Sequence, residues 1–279
     1  MTATSLKTKK KRFLHSKGAL AIPVTYLILF VSTMLLISVT YVFAVQQVNN
    51  QQQSFHALTA RQDMISLDND ILSVTSQPGS AAVLDFRDSS GQLNIEPSSS
   101  NLILSVTDNA EINGIIFNEK TGQIVYNLAP SESADIGFYI EGDSSTITSQ
   151  VDSSLSQLCF VSSLQGPQIQ LGYRPQVTYA SAGTQNGQPV TDIRIYIVNL
   201  NPSTAFSLGG ELPLKISCLS AQLTTTTYQV SYQIENLVIT SQLNGINGSV
   251  SVPISSTSAG AIIHVQIVSS NVSVEEGTP

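Results

Sequence analysis

Residues 19–45, ALAIPVTYLILFVSTMLLISVTYVFAV, form a run of twenty-seven positions without a charge, and no other feature limits the fold so strongly. About 20 such residues in a helix cross the hydrocarbon core of a bilayer, where a helix satisfies its own backbone. Ahead of the run, residues 1–18 hold Lys7, Lys9, Lys10, Lys11, Arg12 and Lys17 and no acid. Basic residues stay on the cytoplasmic side, so the segment predicts one pass, with the N-terminus cytoplasmic and the body extracytoplasmic. Tyr26 and Tyr41 stand near the two ends, where amphipathic rings favour the interfaces. A cleaved secretory signal has an apolar stretch of roughly 7–15 residues. This one is longer, and Gln and Asn rather than a small-residue site follow Val45.

The basic leader leaves six basic against all nineteen acidic side chains in the rest of the chain, a net of −13. An acidic body repels nucleic acid, so the basic tail is read through the membrane beside it. Charged residues are only 11% of the chain and Trp is absent, a composition that fits a β-rich surface protein better than a cytosolic enzyme.

From Val45 to Val74 there is neither Pro nor Gly, and Val48, Phe55, Leu58, Ile65 and Leu72 recur at near-helical spacing. The pattern predicts an amphipathic helical stalk over 46–75, ended by SQPGS at 76–80. Beyond it, short β-branched runs such as NLILSVTD, DIRIYIVNLN and AIIHVQIVS alternate with turn residues. They predict an all-β, mainly antiparallel, sandwich-like extracytoplasmic head over 76–279. Hairpins are expected through Ser89-Ser90-Gly91 and through a turn ending at Gly122. YASAGTQNGQPVTDIRIYI reads as a long exposed loop at the tip, followed by a central strand on which Tyr196 packs. The polar stretch 145–157 either divides the head into two lobes or lies within one.

Few residues offer chemistry. Two cysteines in an exported chain fit either a disulfide between Cys159 and Cys218 or two buried thiols. Asn247 and Asn271 open N-glycosylation triplets, whereas Pro202 excludes Asn201. His15, His56 and His264 fall on the leader, the stalk and a terminal strand, which gives no triad or metal set. Asp135, Glu141, Asp143 and Asp152 lack the spacing of a calcium loop and read as a solvated acidic rim. No phosphate loop, dinucleotide fingerprint or nucleophile elbow is present, so no cofactor, metal or small-molecule substrate is expected.

KGAL at residues 17–20, between the basic tail and the apolar run, resembles the prepilin-peptidase (class III signal) site of archaeal type IV pilins and archaellins. The resemblance implies cleavage on the cytoplasmic side, with Lys17 in the basic place, Gly18 the last leader residue and Ala19 the mature N-terminus. The early Glu of bacterial pilins has no counterpart in ALAIPVTY. The family implies a filament-forming helix resting against a β head, with the peptidase and like subunits as partners. The expected function is a structural subunit or minor pilin-like component of a cell-surface filament. The alternative is a membrane-anchored β-sandwich serving as a binding or stator-like module. The division expected is a leader at 1–18, a membrane helix at 19–45, a stalk at 46–75 and a head at 76–279.

Overall fold

The computed structural model describes residues 21–87, 90–108, 110–129, 136–149, 154–164 and 166–277. A single helix, α1 (Ala21–Thr75), opens the described chain. Pro23 is its third residue, where the missing N–H would have had no intrahelical partner. No Pro or Gly then interrupts it before Pro78 and Gly79. Gly79 takes a positive φ of 86°, and the Ser80 hydroxyl closes the end by donating to the Val74 carbonyl at 2.9 Å.

Beyond the helix, the described residues form fourteen strands. A six-stranded sheet contains β1 (Ala81–Phe86), β5 (Thr148–Ser149), β8 (Gln176–Gln185), β9 (Gln188–Asn199), β11 (Leu212–Val230) and β14 (Ala261–Glu276). Its order is β1-β11-β14-β9-β8-β5, antiparallel except for β14 with β9 and β5 with β8. An eight-stranded sheet contains β2 (Gln92–Thr107), β3 (Asn113–Asn127), β4 (Tyr139–Glu141), β6 (Ser156–Ser163), β7 (Gly166–Tyr173), β10 (Phe206–Gly209), β12 (Asn236–Leu243) and β13 (Ile246–Pro253). Its order is β13-β12-β2-β3-β7-β6-β4, with β10 also paired to β2, and every pairing is antiparallel. The architecture is the long apolar helix followed by a mostly antiparallel, sandwich-like β body.

Residues 53–279 form one compact unit. Its interior has two apolar cores strung along shared long strands. β14 sends Ile263, Val265 and Ile267 into one core and Val272 and Val274 into the other. β2 divides likewise into Leu93 and Ile95 against Leu102, Leu104 and Val106, with its ladder broken between Glu96 and Ser100. Such irregularities let one strand change which alternate residues face inward.

Three local expectations are corrected. The hairpin expected through Ser89-Ser90-Gly91 does not join β1 to β2, because the two strands belong to different sheets; Ser89 itself lies outside the described residues. Gly122 ends no turn, because β3 runs straight through it. A Cβ there would lie 2.9 Å from the Leu200 Cβ, so close packing selects glycine at that point. The supposed tip loop is a hairpin in which β8 and β9 close through Asn186 and Gly187, both at positive φ. DIRIYIVNLN is central, with β14 on one side and β8 on the other, and Tyr196 is half-buried there.

The helical stripe also shifts. Val48, Phe55 and Leu58 are exposed, and the buried face is Ala60, Met64, Leu67, Ile71 and Val74, with Ile65 and Leu72 at its margin. Asp63 and Asp68 share the buried face and disguise it in the sequence.

Candidate functional site

The largest exposed apolar surface is the first half of α1. Six consecutive residues, Tyr26, Leu27, Ile28, Leu29, Phe30 and Val31, are each 53–72% exposed. Six residues cover more than one turn, so apolar side chains face outward in every direction. Four hydroxyls within it bond to carbonyls of their own helix. Ser32 and Thr33 donate to the Leu29 carbonyl at 2.9 and 2.7 Å, Ser38 to Met34 at 2.9 Å, and Thr40 to Leu36 at 2.8 Å. A helix apolar all round belongs in lipid or inside a bundle of other helices. By length and composition it can cross a membrane.

Among the described residues, the last turns of α1 are held in the body by apolar packing and by polar contacts at Asp63, Asp68 and Thr75. Asp63, almost fully buried, accepts from the Arg87 backbone N–H at 3.0 Å and from its Nε at 2.9 Å. The Ser270 hydroxyl donates to the Thr75 carbonyl at 3.1 Å. Asp68, fully buried, accepts through Oδ1 from the Ser156 hydroxyl and the Tyr173 hydroxyl, both at 2.8 Å. Its Oδ2 is buried with no hydrogen-bond partner among the described residues.

Burial drives the Asp68 pKa up to about 7, against the lowering effect of the Ser156 and Tyr173 hydrogen bonds, and the neighbouring Glu141 carboxyl adds to the rise. The same surroundings push the Tyr173 phenol well above its ordinary value, burial first and Asp68 second. Next to this group, Arg174 is buried to 1% exposure. Its Nε and Nη2 donate to the Ser154 carbonyl at 3.0 and 2.9 Å, and its Nη1 to the Ser145 carbonyl at 3.0 Å and to the Asp143 carboxylate. That guanidinium holds the Asp143 carboxyl well below the usual carboxylate range. Gly142, at a φ of +75°, lets the chain pass: a Cβ there would lie 2.2 Å from the Ser156 carbonyl oxygen.

A second polar group lies on the six-stranded sheet. His264 Nδ1 is 2.9 Å from an Asp192 carboxylate oxygen, and Arg194 Nε donates to Gln266 at 3.0 Å. Asp192, Arg194 and Tyr196 line a shallow depression of about 310 Å³ with Thr178, Tyr179 and Ala180.

The residues singled out from sequence are not brought together. Lys17, Gly18 and Ala19 lie outside the described residues, as do Asp135 and Asp152. Cys159 on β6 and Cys218 on β11 are separate, buried free thiols on strands of opposite sheets. Burial raises the pKa of both thiols. Asn247 is exposed on β13. Asn271 is half-buried on β14, where its amide donates to Ser220 and its carbonyl accepts from Asn199, both at 3.0 Å. Both halves of its amide are therefore engaged in the sheet. Glu141 and Asp143 are not simply a solvated rim, since one neighbours Asp68 and the other pairs with Arg174. Among the described residues no three His, Cys, Asp or Glu side chains are grouped as metal ligands would be. Sequence reading missed Asp68 and Arg174, whose only signal was a charge placed in an otherwise apolar stripe or strand end.

Comparison with protein-family models, with curated proteins and with solved structures finds no match.

Proposed function

We propose that this chain is a structural subunit or minor pilin-like component of a cell-surface filament, assembled through the apolar half of α1. The reading is carried by one observation: that half-helix is apolar and exposed around its whole circumference, while its other end is built into the core of the β body. A one-sided apolar stripe would suit a pairwise dimer, whereas an apolar surface on all sides suits lipid before assembly and a bundle of like helices after it. The −13 charge outside the leader keeps copies soluble against one another until the helices bring them together. In this reading the N-terminus begins in the cytoplasm, and cleavage between Gly18 and Ala19 frees the helix for assembly.

Two measurements on the native protein test it. The N-terminal residue of membrane-extracted protein, read by mass spectrometry, is expected to be Ala19. Shearing intact cells is expected to release the chain in particles of megadalton size. A chain that keeps its leader and stays with the membrane as a small oligomer would overturn the filament. It would leave a single-pass anchor whose β body serves as a binding or stator-like module.

A further inference from the structure

Among the described residues, the two outer edges of the six-stranded sheet are open along part of their length. β1 covers β11 only from Leu212 to Ser217, and backbone bonds from Gly79 and to Ser80 extend the cover to Cys218. From residue 219 to Val230, β11 has β14 as its only ladder partner among the described residues. At the other edge, β5 covers, among the described residues, only Gln176 and Val177 of β8, and residues 179–185 are exposed. Neither open stretch contains a charge or a proline, the usual means by which natural sheets protect an edge. Leu219 and Leu223 are 57% and 64% exposed on the β11 stretch. Beside it the sandwich is not closed: a cleft of about 190 Å³ between the sheets has Ile116, Phe117, Glu119, Gln222, Thr224 and Ile267 in its lining.

The two edges also match in level and direction. Across the sheet, Ala180 pairs with Asp192, Asp192 with His264 and His264 with Thr227. Tyr179 is linked to Thr226 by the same route through Ile193 and Val265. β11 is antiparallel to β14, β14 is parallel to β9, and β9 is antiparallel to β8, so β11 and β8 run the same way. A second copy placed beside the first without sliding along the strands therefore sets residues 179–181 of one copy next to 226–228 of the other.

We infer that the β11 edge of one copy pairs in parallel with the β8 edge of the next, continuing the six-stranded sheet from subunit to subunit. The occupant is a second copy of this chain because the two edges are complementary in level and direction, and because they are neutral where the rest of the body is acidic. Like copies meet there with the least charge repulsion. The contact is heterologous: each copy presents one edge of each kind, so it repeats from copy to copy, as an open filament where the rotation per step does not close a ring. A strand added to β11 also lies across the open cleft. The inference extends the filament reading from helix to head, and it rests on that reading only for bringing copies side by side.

Cysteine pairing tests it. Strands in a ladder lie about 4.8 Å apart, within the Cα separation a disulfide accepts. The full-length chain carries Ala180→Cys, Thr227→Cys or both, and intact cells are treated with a mild thiol oxidant. Buried Cys159 and Cys218 make the unmodified chain the control. The double variant is expected to give a ladder of dimers, trimers and larger species on non-reducing gels, and each single variant to stay monomeric. A dimer from Thr227→Cys alone would mean like edges meeting, and would overturn the inference. So would sheared, high-mass particles from the double variant that show no cross-link. A ladder confined to the membrane fraction would uphold the edge pairing and overturn the filament. Independently of disulfide geometry, Thr225→Lys with Thr227→Lys is expected to lower the yield of sheared particles at least tenfold, with the circular dichroism of the body unchanged. An unaltered yield would overturn the pairing.

Discussion

Asp68 is the residue with the clearest consequence in solution. Its folded pKa of about 7 stands above the ordinary 3.8. A raised carboxyl pKa means that the folded state holds the proton longer than the unfolded one. Asp68 thus supports folding fully below about pH 4, and that support is lost as pH rises through 7, by on the order of a few kcal/mol. Melting of the detergent-solubilised chain is expected at a lower temperature at pH 8 than at pH 5. Asp68→Asn keeps an acceptor for Ser156 and Tyr173 but cannot ionise, so it should flatten the profile. An unchanged slope in that variant would show that another group carries it. Arg174 is a residue of the opposite kind, because its buried fork satisfies the Ser145 and Ser154 carbonyls. Arg174→Met leaves those carbonyls without the guanidinium, and a loss of about 3 kcal/mol in denaturant melts is expected. A loss under about 1 kcal/mol would contradict that role.

At the scale of elements, α1 divides its length between two environments, and substitutions should report the division. Ile71→Ala removes a fully buried side chain from the body core and should cost about 2–5 kcal/mol of body stability. Phe55→Ala, on an exposed position of the same helix, should stay within about 0.5 kcal/mol. Equal losses would mean that the helix packs along a different face. The existence and end of this helix were legible, since an uninterrupted run stops at Pro78 and Gly79. Its buried face was not, because Asp63 and Asp68 break the apolar stripe that periodicity relies on. The β8–β9 hairpin was misread for a related reason. Gly183, Gly187 and Pro189 together suggested a loop, although Asn186-Gly187 is the dipeptide that a two-residue hairpin turn requires. Asn244 and Gly245 close β12 onto β13 with the same geometry.

For the whole molecule, the body is a single compact unit with two cores, and its two cysteines lie apart inside it. Thiol titration of the purified chain is expected to find neither residue reacting rapidly when folded and two thiols after unfolding under non-reducing conditions. Fewer than two would indicate a bridge. By itself the sequence determined the long apolar helix, its stop and the β character of the body, because charge, proline, glycine and residue periodicity act over a few neighbours. Only the tertiary structure decided which strands share a sheet, which helix face is buried, and that Asp68, Ser156 and Tyr173 meet. Those outcomes depend on contacts between residues as many as 195 positions apart, whose energies no local pattern encodes.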